Sequence, residues 1–257
     1  MADAGLPDFA AVSLDGEGMD DVDMIGAGVK TIQIGDVHPT ALSGADAKAV
    51  IDRLSAMGRE RFGLRYHLPL GPDAVVSGSV LLNALLGDEG KWHPGDYDVF
   101  CRPSAVHRLR LHLIAQGFRI VLLSVYNYKD SRTMSVESWA LDTTSRCTLG
   151  MDASGKEILG RAAEAGIPID TGASTPSTCN GPFVQLIVDL EPGASLVFGR
   201  FDLHILENTF DGTTVLVNYP EQVKTRTSTV RDRGSPHEWR TQRRIEMYTE
   251  RFIRVIR

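Results

Sequence analysis

Two short stretches, 75–87 and 95–100, constrain this chain more than any other part of it. The apolar pair Val75-Val76 runs into Ser77-Gly78-Ser79, and the helix-like Val80-Leu81-Leu82-Asn83-Ala84-Leu85-Leu86-Gly87 follows. A polar loop then leads to Gly95-Asp96-Tyr97-Asp98-Val99-Phe100, an apolar strand carrying two carboxylates. A short apolar run that stops at a small-residue turn reads as a buried strand, and Gly87 ends the helix after it. Strand, turn, helix and acidic strand require a sheet to host them, so the fold expected is α/β (α+β), with helices flanking a mixed sheet.

The remaining segments supply that sheet and its covering. Residues 43–62 read as a helix capped by Ser43, with Val50, Ile51, Leu54, Met57 and Phe62 near one face. A connector with two prolines, 63–72, precedes the central unit. Downstream, 104–116 is expected to be a helix started by Pro103 and closed by Gly117, and 118–126 and 134–141 are expected to be strands. Strands are also expected over 183–190 and 197–206, with a turn at Asp211-Gly212 leading to a further strand over 213–217. Residues 236–257 read as a basic amphipathic helix with Trp239, Ile245, Tyr248, Phe252 and Ile256 on its apolar face. Val29–Ile34 reads as a short edge strand. Residues 142–181 turn small and polar and are expected to be an irregular insertion, with a short helix near 156–165.

The acidic strand has a chemical reading. Alternate residues of a strand share a face, so Asp96 and Asp98 project to one side and Tyr97 and Val99 to the other. Carboxylates about 7 Å apart along a strand can hold one hard divalent cation, or two ions once a phosphate supplies bridging oxygens. The plainer alternative is that two aspartates simply open a strand beside a turn. The upstream turn weighs against it: Gly78 lets an anion approach the backbone, Ser79 can donate a hydrogen bond, and a helix N-terminus follows.

Ser77-Gly78-Ser79, the helix after it and Asp96-Tyr97-Asp98 together resemble the signature of the polymerase-β-like nucleotidyltransferase superfamily. The segment 201–212 and the basic C-terminal residues are similar to small stand-alone members from large DNA viruses and fungi. The resemblance implies a mixed sheet, two Mg²⁺ ions (or Mn²⁺), and transfer of a nucleoside monophosphate from an NTP to a hydroxyl acceptor. That acceptor would be an RNA 3′ end, a protein or a small molecule. It also implies a third carboxylate from a later strand. Asp202 is the first candidate, since Arg200, Asp202 and His204 would share the face opposite Phe201, Leu203 and Ile205; Asp189 is the second. Asp96, Asp98 and Asp202 would thus be catalytic and metal-binding, and Gly78, Ser79 and Lys224 would hold the nucleotide. The rival reading is a catalytically inactive member of the same fold that binds a nucleotide or a partner.

Composition sets the boundaries. Three cysteines at distant positions (Cys101, Cys147, Cys179) and no zinc-like His/Cys spacing point to free thiols in an intracellular, cytoplasmic protein (a host-cell cytoplasm for a viral chain). No run is long and apolar enough to span a membrane. The net charge of −6 conceals an asymmetry. Residues 1–29 contain seven carboxylates and neither Lys nor Arg, whereas 222–257 contain ten Lys/Arg against four Asp/Glu. Residues 1–28 are therefore expected to form an acidic flexible arm, followed by a single domain over 29–257 whose basic end could meet phosphates.

Overall fold

Four consecutive buried residues, Ala74–Ser77, place this strand in the interior of a sheet rather than at its edge. The computed structural model describes residues 39–88, 91–127, 133–141, 182–189, 195–197, 199–231, 238–251 and 253–256. All of them fall in one unit spanning Asp36–Arg257. The expected arm at 1–28, the edge strand at 29–34 and the insertion at 142–181 lie outside the described residues.

In chain order the elements begin with β1 (Thr40–Ala41), α1 (Gly44–Glu60), β2 (Ala74–Ser77), α2 (Gly78–Leu86), β3 (Asp96–Cys101) and α3 (Pro103–Ala115). β4 (Phe118–Asn127), β5 (Thr133–Leu141) and β6 (Phe183–Asp189) follow. After a 3₁₀ turn at His204–Leu206 come β7 (Thr209–Phe210), β8 (Val215–Val217), α4 (Pro220–Thr225), β9 (Thr227–Thr229), α5 (Glu238–Glu250) and β10 (Arg254–Ile256). Eight strands form one mixed sheet in the order β1-β8-β7-β2-β3-β6-β5-β4. Within this sheet, among the described residues, β3 and β6 pair in parallel and the other neighbours are antiparallel. Among the described residues no helix is long and apolar enough to cross a membrane.

The sheet has two differently covered faces. Val76, Tyr97, Val99, Val184 and Leu186 point into the main core, where Val50 and Leu54 of α1, Leu81 of α2 and Leu109 and Leu113 of α3 close over them. Each such side chain contributes about 1.5–3 kcal/mol by leaving water. On the opposite face Val75, Phe100, Met134 and Ile187 pack under Leu196 and Val197, with Phe201 beside them. A third cluster joins Leu82 on the outer side of α2 to Leu203, Ile205, Leu206, Tyr248 and Ile253. α2 is therefore held from both sides, by the sheet core and by the C-terminal elements.

Two expectations are corrected. Residues 197–206 do not form a strand. Gly199 takes φ +79 and turns the chain, and Ile205 and Leu206 are both buried, which the alternation of a strand cannot achieve for successive residues. A 3₁₀ turn at His204–Leu206 does so instead, and only Leu203 makes a β-bridge, to Val230. Likewise the C-terminal helix stops at Glu250. β10 then pairs in parallel with β9, satisfying backbone groups that a frayed last turn would leave exposed. At the other end of the chain, Ser43 stands at the N-cap of α1 in extended conformation but makes no side-chain capping bond. The Asp211-Gly212 turn forms as expected: Asp211 Oδ1 accepts from the amides of Thr213 and Thr214 between β7 and β8.

The C-terminal elements are tied to α2 by charge as well as by packing. Asp88, just past α2, is fully buried. Its carboxylate accepts from Arg226 at 2.5 and 3.0 Å and pairs with Lys91 at 2.8 Å. Burial alone would raise its pKa, but these partners and the Trp92 indole bring it down to about 2. Its contribution to stability is therefore present above the ordinary carboxylate range and is lost only as the pH falls toward 2. Asp88→Asn leaves the Arg226 guanidinium without its counter-charge. It should cost about 3 kcal/mol at pH 7, read from urea unfolding; a change under about 0.5 kcal/mol would show the pair to be incidental.

Candidate functional site

The pairing of β2 with β3 decides where the site lies. Their register sets Ser77 opposite Asp98, so the start of α2 and the acidic strand meet. Gly78 has φ +75, a conformation that costs a residue with a Cβ about 1–2 kcal/mol. A Cβ built there would come within 2.5 Å of Asp98 Oδ2 and 3.3 Å of the Phe201 ring. Glycine is required twice over, once by the backbone and once by the carboxylate pressed against it. The Ser77 hydroxyl is taken up structurally: it donates to the Asn208 carbonyl at 2.5 Å, with the Leu206 carbonyl at 3.2 Å. That bond moors the turn to the chain entering β7.

Asp96 and Asp98 share one face of β3 as the alternation requires, and both are half-buried. Burial pushes the Asp96 carboxyl up. Burial pushes Asp98 up to about 7, with the neighbouring Asp96 adding to the shift and Arg244 opposing it. The contrast with the fully buried acids is informative. Among the described residues, arginine partners hold all four of them: Arg226 on Asp88, Arg110 on Glu137, Arg200 on Asp189 and Arg231 on Glu207. Among the described residues neither Asp96 nor Asp98 forms an ion pair. Two adjacent, partly desolvated carboxylates with no dedicated counter-charge are the arrangement that favours an added cation. Oxygen donors of this kind suit a hard divalent ion.

The other expected residues are placed as follows. Ser79 sits in the first turn of α2. Tyr248 of α5 is buried; burial raises its phenol to about 12, with Arg251 opposing and Asp98 adding to the effect. Asp202 lies in the loop after Gly199, not on a strand, and pairs with Arg244 at 2.5 Å. Arg244 is bonded to Asp202 and also acts on Asp98 through its charge. Among the described residues no group of three or more His, Cys, Asp or Glu is arranged to hold a metal. Lys224, on α4, lines a separate cavity with Thr40, Arg53, Leu85 and Val217. Asp189 is on the same sheet face as Asp98 but ion-paired to Arg200.

Two further residues near the site come from the basic C-terminal segment. Tyr248 and Arg251 close the end of α2 through Trp92: the Trp92 and Tyr248 rings meet edge to face at 6.4 Å, and Arg251 stacks over Trp92 at 4.3 Å. Trp92 is buried in this stack and supports the site rather than offering an open surface to a base. A tyrosine at helical spacing in a basic segment reads from sequence as an ordinary core residue, which it also is.

Gly78→Ala should destabilise the fold by at least about 2 kcal/mol, through the left-handed backbone and the clash with Asp98; an unchanged urea midpoint would contradict this packing. The raised carboxyl of Asp98 makes a second expectation. The fold holds the Asp98 proton more tightly than the unfolded chain does, so its stabilising effect is complete below the ordinary value of 3.8 and disappears as the pH rises toward about 7. Without divalent cations, Asp98→Asn should therefore raise the melting temperature at pH 8 and leave it nearly unchanged at pH 4. Equal effects at both pH values would contradict the assignment. No protein-family model, curated protein or solved structure matches the chain, so the meaning of this site rests on its own chemistry.

Proposed function

We propose that the chain is a metal-dependent nucleotidyltransferase that moves a nucleoside monophosphate from an NTP to a hydroxyl acceptor. The acceptor would be an RNA 3′ end, a protein hydroxyl or a small molecule, and dependence on an NTP would place the reaction inside the cell. The single observation that supports this most is the closeness of Gly78 to Asp98, 2.5 Å from a would-be Cβ to the carboxylate oxygen. It makes the turn suited to phosphate and the carboxylate pair one site instead of two features.

Asp96 and Asp98 would hold the divalent ion, Mg²⁺ or Mn²⁺. Bound there, it would neutralise charge on the phosphoryl oxygens. The amide groups at the start of α2, around Gly78 and Ser79, would receive the distal phosphates, because the first turn of a helix leaves its N–H groups without partners inside the helix. Arg244 is half-exposed beyond its bond to Asp202 and could exchange that carboxylate for phosphate oxygens. Asp202 would then be free to take the proton of the attacking hydroxyl. Catalysis of this type is positioning and charge neutralisation rather than covalent chemistry.

One observation favours a second reading, a nucleotide-binding protein without turnover: Asp202 is engaged by Arg244 and does not join Asp96 and Asp98 in a three-acid group. The two readings separate in one assay. The protein, with Mg²⁺ or Mn²⁺, is given each α-labelled NTP together with pooled cellular RNA and protein, beside an Asp98→Asn control. Transfer of label that falls by about 100-fold or more in Asp98→Asn is expected. Transfer that Asp98→Asn leaves intact would contradict the site, and NTP binding without transfer to any acceptor would favour the second reading.

A further inference from the structure

The strand beside β3 shows what the carboxylate pair lacks. β6 runs parallel to β3 in a register that pairs Asp96 with Phe183, Asp98 with Gln185 and Phe100 with Ile187. Paired residues of neighbouring strands share a sheet face, about 4.8 Å apart at the backbone, so Gln185 stands next to Asp98 on the acidic face. On the far side of Asp98 the paired residue is Ser77, whose hydroxyl is committed to backbone carbonyls. The next strand out offers Ser138, opposite Gln185, and the Gln185 amide lies 3.5 Å from its hydroxyl. Of the remaining acids nearby, Glu137 is on the opposite sheet face with Trp139 and is held by Arg110. Asp189 is four residues further along β6, about 13 Å away, and is held by Arg200. Asp202 is neutralised by Arg244.

We infer that Gln185 sets the cation capacity of this site: it occupies the β6 position paired with Asp98, from which a third carboxylate could join Asp96 and Asp98, and its neutral amide limits the nucleotide-free site to a single, weakly held divalent ion. This rests on the reading of Asp96 and Asp98 as cation ligands. An amide can give a cation one neutral oxygen but no negative charge, and affinity for hard divalent ions rises with the number of charged oxygens. Glutamate has nearly the shape of glutamine and puts a charged oxygen in place of the amide nitrogen; the long contact given up is that to the Ser138 hydroxyl, which can itself donate to a carboxylate. The chain would thus bind a nucleotide with one ion of its own, the nucleotide phosphates having to supply what a second would need.

Mn²⁺ binding to the full chain without nucleotide, followed by electron paramagnetic resonance, tests this in wild type, Gln185→Glu, Asp98→Asn and the double variant. Wild type should bind at most one Mn²⁺ at the site. Gln185→Glu should bind Mn²⁺ tenfold or more tightly, or take a second ion, and this gain should vanish when Asp98→Asn is added. Should the third charge weaken the metal-free fold, Mn²⁺ must raise the melting temperature of Gln185→Glu more than that of wild type. Two sites lost with Asp98→Asn in wild type, or a Gln185→Glu affinity within twofold of wild type, would overturn the role of Gln185 while leaving the carboxylate site standing. Binding that Asp98→Asn does not weaken would overturn the site itself.

Discussion

The approach of the Asp98 carboxylate to the Gly78 backbone is the contact on which the rest of the arrangement depends. It exists because the β2–β3 register puts Ser77 opposite Asp98 and because a glycine with φ +75 begins α2 at that point. Its surroundings serve to keep it there. Ser77 is tied to the carbonyl of Asn208, Phe201 packs edge to face on Phe100, and the C-terminal cluster presses on the outer side of α2. Elements distant in sequence are thus spent on the position of one strand-to-helix turn.

Charge is distributed with the same selectivity. Burying a carboxylate is costly unless a cation and hydrogen bonds accompany it, and the chain gives Asp88, Glu137, Asp189 and Glu207 such company. Glu207, for example, also accepts from the Gly199 amide and from Arg231 at 3.0 Å. Asp96 and Asp98 are treated differently: they share a face with each other, and Arg244 acts on Asp98 through its charge without forming an ion pair. An uncompensated pair inside a structure that compensates its other buried acids points to a ligand that brings positive charge. The same comparison exposes Gln185, a neutral residue at the place where the sheet could have supplied more charge.

Much of this was legible in the order of residues. The strand–turn–helix–strand unit, α1, α3 and the strands β4, β5 and β6 follow from apolar periodicity and from Gly and Pro punctuation. The sharing of a face by Asp96 and Asp98 follows from a period of two. What the sequence did not reveal depends on which strands become neighbours. Asp202 sits within a run, 197–206, whose apolar content suggests a strand, yet its hydrophobic residues serve two different clusters and the chain turns at Gly199 to reach both. Gln185 is inconspicuous until β6 is known to lie beside β3. Arg244 and Tyr248 belong to a basic amphipathic helix expected to meet phosphates, but its sequence does not say that it packs against Asp202 and Trp92.

The proposed function requires the Gly78 turn and the Asp96/Asp98 pair to form one cation-binding site. Paramagnetic broadening by sub-stoichiometric Mn²⁺ of assigned backbone amide signals tests it most directly. Gly78, Ser79, Asp96, Tyr97, Asp98 and Gln185 should broaden together and first, while Lys224 and its neighbours on α4 keep sharp signals. Early broadening centred on the acidic residues 1–29, with the Gly78 and Asp98 signals unaffected, would contradict it.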